Sequence, residues 1–211
     1  MERTFAVGDI HGCLDKLTLL MDMIDIDPKR DTLVFMGDYI DRGTRSKEVV
    51  DYLLGLARRQ SKVIFLKGNH ERMLQRYLSG KSMFHFLVNG GQATLDSYMK
   101  NQSNAQDRLI PTAHRDFFDN LRLYYETEQY IFVHAGLKPN VPLEEQSEWD
   151  MLWIRDEFIY SDFDFGKRVI FGHTPFREPL ILDNKIGIDT GAVYGGTLTC
   201  LELPAQRFYN A

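Results

Sequence analysis

The stretch "FAVGDIHGCLDKL", residues 5–17, runs an apolar strand into Gly-Asp-Ile-His-Gly and then into residues with helical apolar spacing. An acid and a histidine two residues apart, bracketed by glycines, close the strand. Alone, this is an ordinary tight turn between a strand and a helix, because Asp and Gly are common turn formers. The same event recurs in "LVFMGDYIDRG" (33–43), "VIFLKGNHE" (63–71), "YIFVHAG" (130–136) and "RVIFGHTP" (168–175). Five apolar strands thus end on Asp, Asn or His, usually beside Gly. In open α/β sheets the carboxyl ends of strands are where ligands bind, and glycine leaves room for close approach. Any one of these residues has a plain structural explanation. Together, Asp9, His11, Asp38, Asn69, His134 and His173 read as a metal site. Carboxylates, imidazoles and one amide, with no thiolate required, suit a divalent ion such as manganese, iron or zinc. Cys13 lies beside the set and reads as a small packed residue at a helix start.

The elements alternate in the first third. "RTFAVGD", "DTLVFMGD" and "KVIFLKGN" read as strands, and "GCLDKLTLLMDMI" and "SKEVVDYLLGLARRQ" as amphipathic helices, with Thr44 or Ser46 expected to cap the second. This order predicts parallel strands joined by right-handed crossovers. From Ser82 to Asn120 the pattern is helical and polar-rich, interrupted by "NGG" at 89–91. From Leu123 onward strand signals dominate, in "LYYETEQYIFVHAG", "KRVIFGHT", "EPLILDNKIGIDTG" and "GGTLTCLEL". The "DN" and "GG" pairs suggest hairpins, and "EWDMLWIRDEFI" is the one helix-like stretch among them. His85 and His114 fall in no motif and read as surface residues.

The chain has 211 residues, 25 Lys and Arg, 30 Asp and Glu, and two cysteines. A net charge of −5 argues against a nucleic-acid partner, which calls for a basic face. No apolar run is long enough for a signal peptide or a membrane span. Two cysteines make no disulfide framework, so a cytoplasmic setting is expected. With no repeat or Pro/Ser-rich linker, residues 1–211 read as a single catalytic domain.

The blocks "GDIHG", "GDYIDRG", "GNHE", "HAGL" and "FGHTP", in this order, resemble the phosphoprotein phosphatase family within the calcineurin-like metallophosphoesterases. The likeness is greatest to its short bacterial and phage-lambda-type serine/threonine phosphatases, and "NGG" and "WIR" fit that group. It extends from the first strand to "GIDTGAVYGG". The resemblance implies an α/β fold with a two-sheet β-sandwich core flanked by helices, a four-layer α/β/β/α arrangement. It also implies two divalent metal ions, manganese foremost, with iron, zinc or magnesium as alternatives. Asp9 and His11 would hold the first, Asp38 would bridge, and Asn69, His134 and His173 would complete the second. Arg42, Asn69, His70 and Arg155 would bind phosphate. His70, oriented by Asp41, would protonate the leaving oxygen. Glu71 is expected to be a structural acid at a helix start rather than a ligand.

The chemistry asks for such residues independently. Paired cations about 3.5–4 Å apart lower the pKa of a water they share, and arginine grips phosphoryl oxygens in a planar, bidentate way. The expected activity is hydrolysis of phosphoserine and phosphothreonine in a phosphoprotein or phosphopeptide. The alternative is a symmetrical diadenosine tetraphosphate hydrolase. The family resemblance implies that such enzymes typically lack an acid at the position of Asp41, so "DRG" favours the phosphatase. A catalytically dead binding module should have lost ligands, and none is missing. A monomer is expected, with no membrane attachment and no dedicated regulatory subunit.

Overall fold

Side-chain alternation along each strand divides the apolar residues between separate cores. The structure is a computed structural model that describes residues 2–100 and 109–211. Five strands form one sheet in the order β10-β9-β1-β2-β3, built from β1 (Thr4–Val7), β2 (Thr32–Phe35), β3 (Val63–Phe65), β9 (Thr199–Leu203) and β10 (Arg207–Asn210). Five more form a second sheet in the order β4-β5-β6-β8-β7, from β4 (Tyr124–Glu126), β5 (Tyr130–Val133), β6 (Arg168–Phe171), β7 (Leu180–Ile181) and β8 (Lys185–Gly187).

Strands have a side-chain period of two. On β1, Phe5 and Val7 therefore join one cluster while Ala6 joins another, and on β2 Leu33 and Phe35 part from Val34 in the same way. Across the molecule, Phe132 and Ile170 face the central cluster, whereas Ile131, Val133, Val169 and Phe171 face outward. The central cluster joins the sheets. The outer two are covered by helices: α1 (Leu14–Met23), α2 (Ser46–Ala57), α3 (Asn69–Leu78), α5 (Gln92–Lys100) and α6 (Thr112–Asp119) on the first sheet, α7 (Glu148–Trp153) and α8 (Asp156–Ile159) on the second. The result is the expected four layers, α/β/β/α. Strands buried on both faces must be apolar at every position, which is why "FAV", "LVF", "IFV" and "VIF" show no polar alternation.

The parallel pairings β1–β2 and β2–β3 follow the predicted β-α-β-α-β order. The second sheet is mixed, with β5–β6 and β6–β8 parallel. The "DN" turn does make the β7–β8 hairpin. The "GG" pair, Gly195–Gly196, does not make one. It lies on the connection from β8 in the second sheet to β9 in the first, and turn chemistry alone does not reveal a change of sheet. Neither Thr44 nor Ser46 caps α2: Arg45 stands at the N-cap with no side-chain cap, and Ser46, the first helical residue, uses its hydroxyl to accept the Asp41 backbone N–H at 3.2 Å. The "NGG" interruption is a kink. Residues Leu87–Gly91 are wound as a π-helix between α4 (Met83–Phe86) and α5, with Gly90 at φ 98°. The helical reading of 82–120 otherwise crosses residues 101–108, which lie outside the described residues. His114 is not on the surface. It is buried on α6, with Nδ1 2.7 Å from the Tyr98 hydroxyl and Nε2 3.0 Å from Asp51. Among the described residues no helix is long and apolar enough to cross a membrane.

Ile170 is fully buried where the two sheets meet. Ile170→Ala should cost about 2–5 kcal/mol, read as a lower denaturant midpoint. A loss below about 1 kcal/mol would mean that the inter-sheet core does not carry stability at this point.

Candidate metal centre and active site

The carboxyl ends of β1, β2 and β3 in one sheet and of β5 and β6 in the other open onto a common edge, and every candidate ligand stands there. Asp9 follows β1 and Asp38 follows β2. Asn69 and His70 begin α3 after β3. His134 follows β5 directly, and His173 follows β6. All are buried. Hydrogen bonds join the sheets at this edge, and two of them involve the main chain. The His134 Nδ1 lies 2.8 Å from the Met36 carbonyl, and the His173 backbone N–H donates to Asp9 Oδ2 at 3.0 Å.

The local backbone is strained. Eight described non-glycine residues have positive φ, and five of them are His11, Asp38, Asp41, Arg42 and His173. Such conformations cost of order 1–3 kcal/mol each and collect at functional sites. Two glycines make the approach possible, since a Cβ on Gly68 would run into the Asp38 carboxylate and one on Gly172 into that of Asp9.

The donors form two groups that share Asp38. His11, Asp38 and His70 place ligand atoms within 4.8 Å of one another, and so do Asp38, His134 and His173. The two oxygens of Asp38 divide between them, with Oδ2 3.4 Å from His11 Nε2 and Oδ1 3.4 Å from His134 Nε2. A carboxylate so placed can bridge two ions. Asn69 Oδ1 lies 3.0 Å from both His134 Nε2 and His173 Nδ1. Two of the imidazoles are held in the orientation that a metal ligand needs. The Nδ1 of His11 faces the Ile40 carbonyl at 2.8 Å and that of His134 faces Met36, so each turns Nε2 inward.

Electrostatics point the same way. Burial pushes His11 down to about 3 and His173 down to about 2, and it lowers His134. Neutral imidazole is the form that binds metal. Burial also pushes Asp9 well above the usual carboxylate range, aided by the charges of Asp189 and Asp38. Burial opposes ionisation of Asp38, but His134, His70 and His11 outweigh it and hold its carboxyl low. Asp9 Oδ1 is buried without a hydrogen-bond partner among the described residues. Buried acids, neutral histidines and an orphaned carboxylate oxygen together fit bound cations, whose charge would reverse the local field.

Glu71 is completely buried and accepts three backbone N–H groups, from Asp38 at 3.0 Å, Tyr39 at 2.8 Å and Gly68 at 2.9 Å. It ties the loops after β2 and β3 together. Burial and the Asp38 charge push its carboxyl up to about 8.

His70 Nδ1 lies 2.6 Å from Asp41 Oδ2. Burial lowers the pKa of this imidazole, but Asp38 and Asp41 more than reverse that, so it stands above its ordinary value. Arg42 reaches His11 Nε2 with its guanidinium, which also lies over the Tyr194 ring at 5.4 Å. The Arg42 N–H donates to the Gly90 carbonyl at 3.1 Å, which brings "NGG" to the border of the site. Arg155 is exposed at the rim, 3.1 Å from the Thr174 hydroxyl beside His173.

Two residues at the site escape the sequence reading. Thr94, on α5, donates to Asp41 Oδ1 at 2.6 Å and accepts the Asp41 N–H at 2.8 Å, and no motif marks it. Asp189 is buried next to Asp9, and burial raises its carboxyl to about 6. It follows β8 by two residues, as the other acids follow their strands, but β8 is short and begins with Lys185, so the signal is weak.

This fold and donor set define a metal-dependent phosphoester hydrolase. The profile of the family described as calcineurin-like phosphoesterase matches residues 3–202, and the chain belongs to that family. Its members typically hold a dinuclear metal centre. The chain is 28% identical to the bis(5'-nucleosyl)-tetraphosphatase PrpE [asymmetrical] of Anoxybacillus flavithermus, over 95% of this chain and 90% of that protein. It is 26% identical to the protein of the same name from Halalkalibacterium halodurans, over 97% and 91%. A crystal structure described as a putative diadenosine tetraphosphatase superimposes with a TM-score of 0.77 at 25% identity, covering 100% of this chain and 93% of the other.

If Asp38 serves both metal groups, Asp38→Asn should lower the occupancy of both, whereas His11→Ala should mainly empty one. Elemental analysis under saturating manganese should find close to two ions per wild-type chain. A maximum of one would remove the shared role of Asp38.

Proposed function

We propose that this chain hydrolyses bis(5'-nucleosyl) tetraphosphates asymmetrically, adding water to give a nucleoside triphosphate and a nucleoside monophosphate. The observation that carries this reading is the similarity, along nearly the full length of both chains, to relatives named for that activity. The acid at Asp41 counts against the symmetrical alternative and leaves the asymmetrical one open.

In this reading Asp9 and His11 would hold one divalent ion, Asn69, His134 and His173 would hold the other, and Asp38 would serve both. Bound there, the ions supply Lewis-acid polarisation of phosphoryl oxygens and activation of water, with manganese the foremost candidate. The chain's own residues do the rest. Arg42, backed by Tyr194 and braced by Gly90, presents its guanidinium to phosphoryl oxygens. Arg155 does so from the rim beside Thr174. Asn69 and His70 meet the phosphate at the start of α3. His70 keeps a proton on Nδ1 against Asp41 and turns Nε2 toward the departing oxygen, while Thr94 fixes the Asp41 carboxylate.

One observation favours a second reading, phosphoserine and phosphothreonine hydrolysis. The buried His70–Asp41 pair is suited to protonating an alkoxide, a poor leaving group, and a departing polyphosphate needs that help less.

A side-by-side assay decides between them. With saturating manganese, diadenosine tetraphosphate should be cleaved to ATP and AMP with a larger kcat/KM than a phosphothreonine peptide, and chelation should abolish both activities. A larger value for the peptide would replace the first reading with the second. Equal halves, two molecules of ADP, would overturn the asymmetric cut.

His70→Asn should slow hydrolysis of the alkyl phosphate about 10²–10⁴-fold and slow the tetraphosphate and an activated aryl phosphate distinctly less. A plot of log kcat against leaving-group pKa measures this. An unchanged slope would take protonation by His70 out of the rate-limiting step.

A further inference from the structure

Next to the metal centre lies a cavity of about 300 Å³ lined by Trp149, Trp153 and His85, by two arginines and by one acid, Glu148. Its inner wall is Trp153, on α7, whose ring packs edge-on against His173 at 6.1 Å. From Trp153 the wall continues outward in two directions, to Trp149, stacked at 5.4 Å with planes 22° apart, and to His85 of α4 at 5.7 Å. Trp149 is 66% exposed, an unusual state for a residue with so much apolar surface. Arg72 and Arg76, one turn apart on α3, line the same space. Arg72 is paired with Glu148 at 3.3 Å. Among the described residues Arg76 has no ion pair, and it is exposed.

We propose that this cleft is a nucleobase site, which takes one base of the dinucleoside tetraphosphate on the Trp149–Trp153 wall. The inference rests on the function proposed above and names what recognises the nucleoside part of that substrate. Three features carry it. The wall begins at a side chain of the metal centre, so a ligand whose phosphate is held there reaches the cleft through its own ribose. Trp149 turns one face to Trp153 yet stays 66% exposed, which leaves aromatic surface open to the cleft, and bases stack on such surface without regard to their hydrogen-bonding edges. Arginine at the cleft offers a planar cation to a polyphosphate chain or to the base. A phosphoamino acid has no group that needs two indoles and a free guanidinium beyond the metal centre. The cleft also implies tolerance, since stacking discriminates poorly between bases and guanine should serve nearly as well as adenine.

The test compares two inhibitors with the same number of phosphates, ATP and inorganic tripolyphosphate. Each competes with p-nitrophenyl phosphate at saturating manganese. The wild-type protein should prefer ATP by about five- to a hundredfold, the range for stacking one base. Trp149→Ala should collapse that ratio toward one, and Trp149→Phe should restore much of it. Equal inhibition of the wild type by ATP and tripolyphosphate overturns the site. A preference for ATP that survives Trp149→Ala overturns it as well. These outcomes separate from those of the functional assay. Cleavage of diadenosine tetraphosphate with the same KM in wild type and Trp149→Ala leaves the function standing and removes the cleft. A Trp149-dependent preference for ATP in a chain that cleaves only the phosphopeptide does the reverse.

Discussion

One buried carboxylate holds the active edge together. Glu71 accepts the backbone N–H groups of Asp38, Tyr39 and Gly68, which belong to the loops after two neighbouring strands. Without an acceptor those three donors would be buried and unsatisfied, each at a cost of about 1–3 kcal/mol. With it, the strained turn at Asp38 is over-determined, and the carboxylate shared by the two donor groups is held beside Asn69 and His70. The His70 N–H in turn donates to Asp38 Oδ1 at 3.1 Å, closing a small network around the shared acid. No member of this network can rotate without releasing another. That is the condition for the sub-ångström placement that phosphoryl chemistry demands.

A division of labour follows. The first sheet supplies most of the anionic and amide donors, through Asp9, Asp38 and Asn69, and the second supplies His134 and His173. The helices behind the first sheet brace the buried His70–Asp41 pair, with Thr94 of α5 bonded to one Asp41 oxygen and His70 to the other. The kinked segment before α5 seats Gly90 against Arg42. The helices on the second sheet contribute the rim, where α7 ends at Trp153 and passes directly to Arg155. Charge balance is set by burial rather than by neighbouring arginines, because the acids and imidazoles are enclosed while the guanidiniums stay toward the mouth.

Much of this was legible in the sequence, because each donor is punctuation at the end of an apolar run. Four strands buried on both faces stand out as unbroken hydrophobic segments, and a polar residue just beyond such a segment must lie at the sheet edge. Asp189 obeys the same rule, but its strand is three residues long and begins with Lys185, so no apolar run announced it. Thr94 carried no signal, since it meets Asp41 across 53 residues of chain from a helix whose pattern is only polar against apolar. His114 was misread for a related reason. Nothing in "PTAHRDFF" says that Tyr98 and Asp51 will close over the ring. The Gly195–Gly196 pair shows a different gap, because a hairpin and a change of sheet use the same turn residues. The aromatic cleft joins residues of α4 and α7, about 65 positions apart, and only tertiary packing brings them together.

The hydrogen bonds that cross between the sheets have a further meaning for how the molecule fails. Many enzymes carry their reactive groups on loops that open while the scaffold stays folded, so activity fades before structure does. Here the groups are rivets in the seam itself. His134 is held by a carbonyl at the end of β2, and Asp9 by the amide of a residue beyond β6. Sliding one sheet over the other by a fraction of a residue breaks both bonds and scatters the donors. The reactive arrangement and the global fold should therefore share one cooperative unit, which heat or denaturant should remove in a single step.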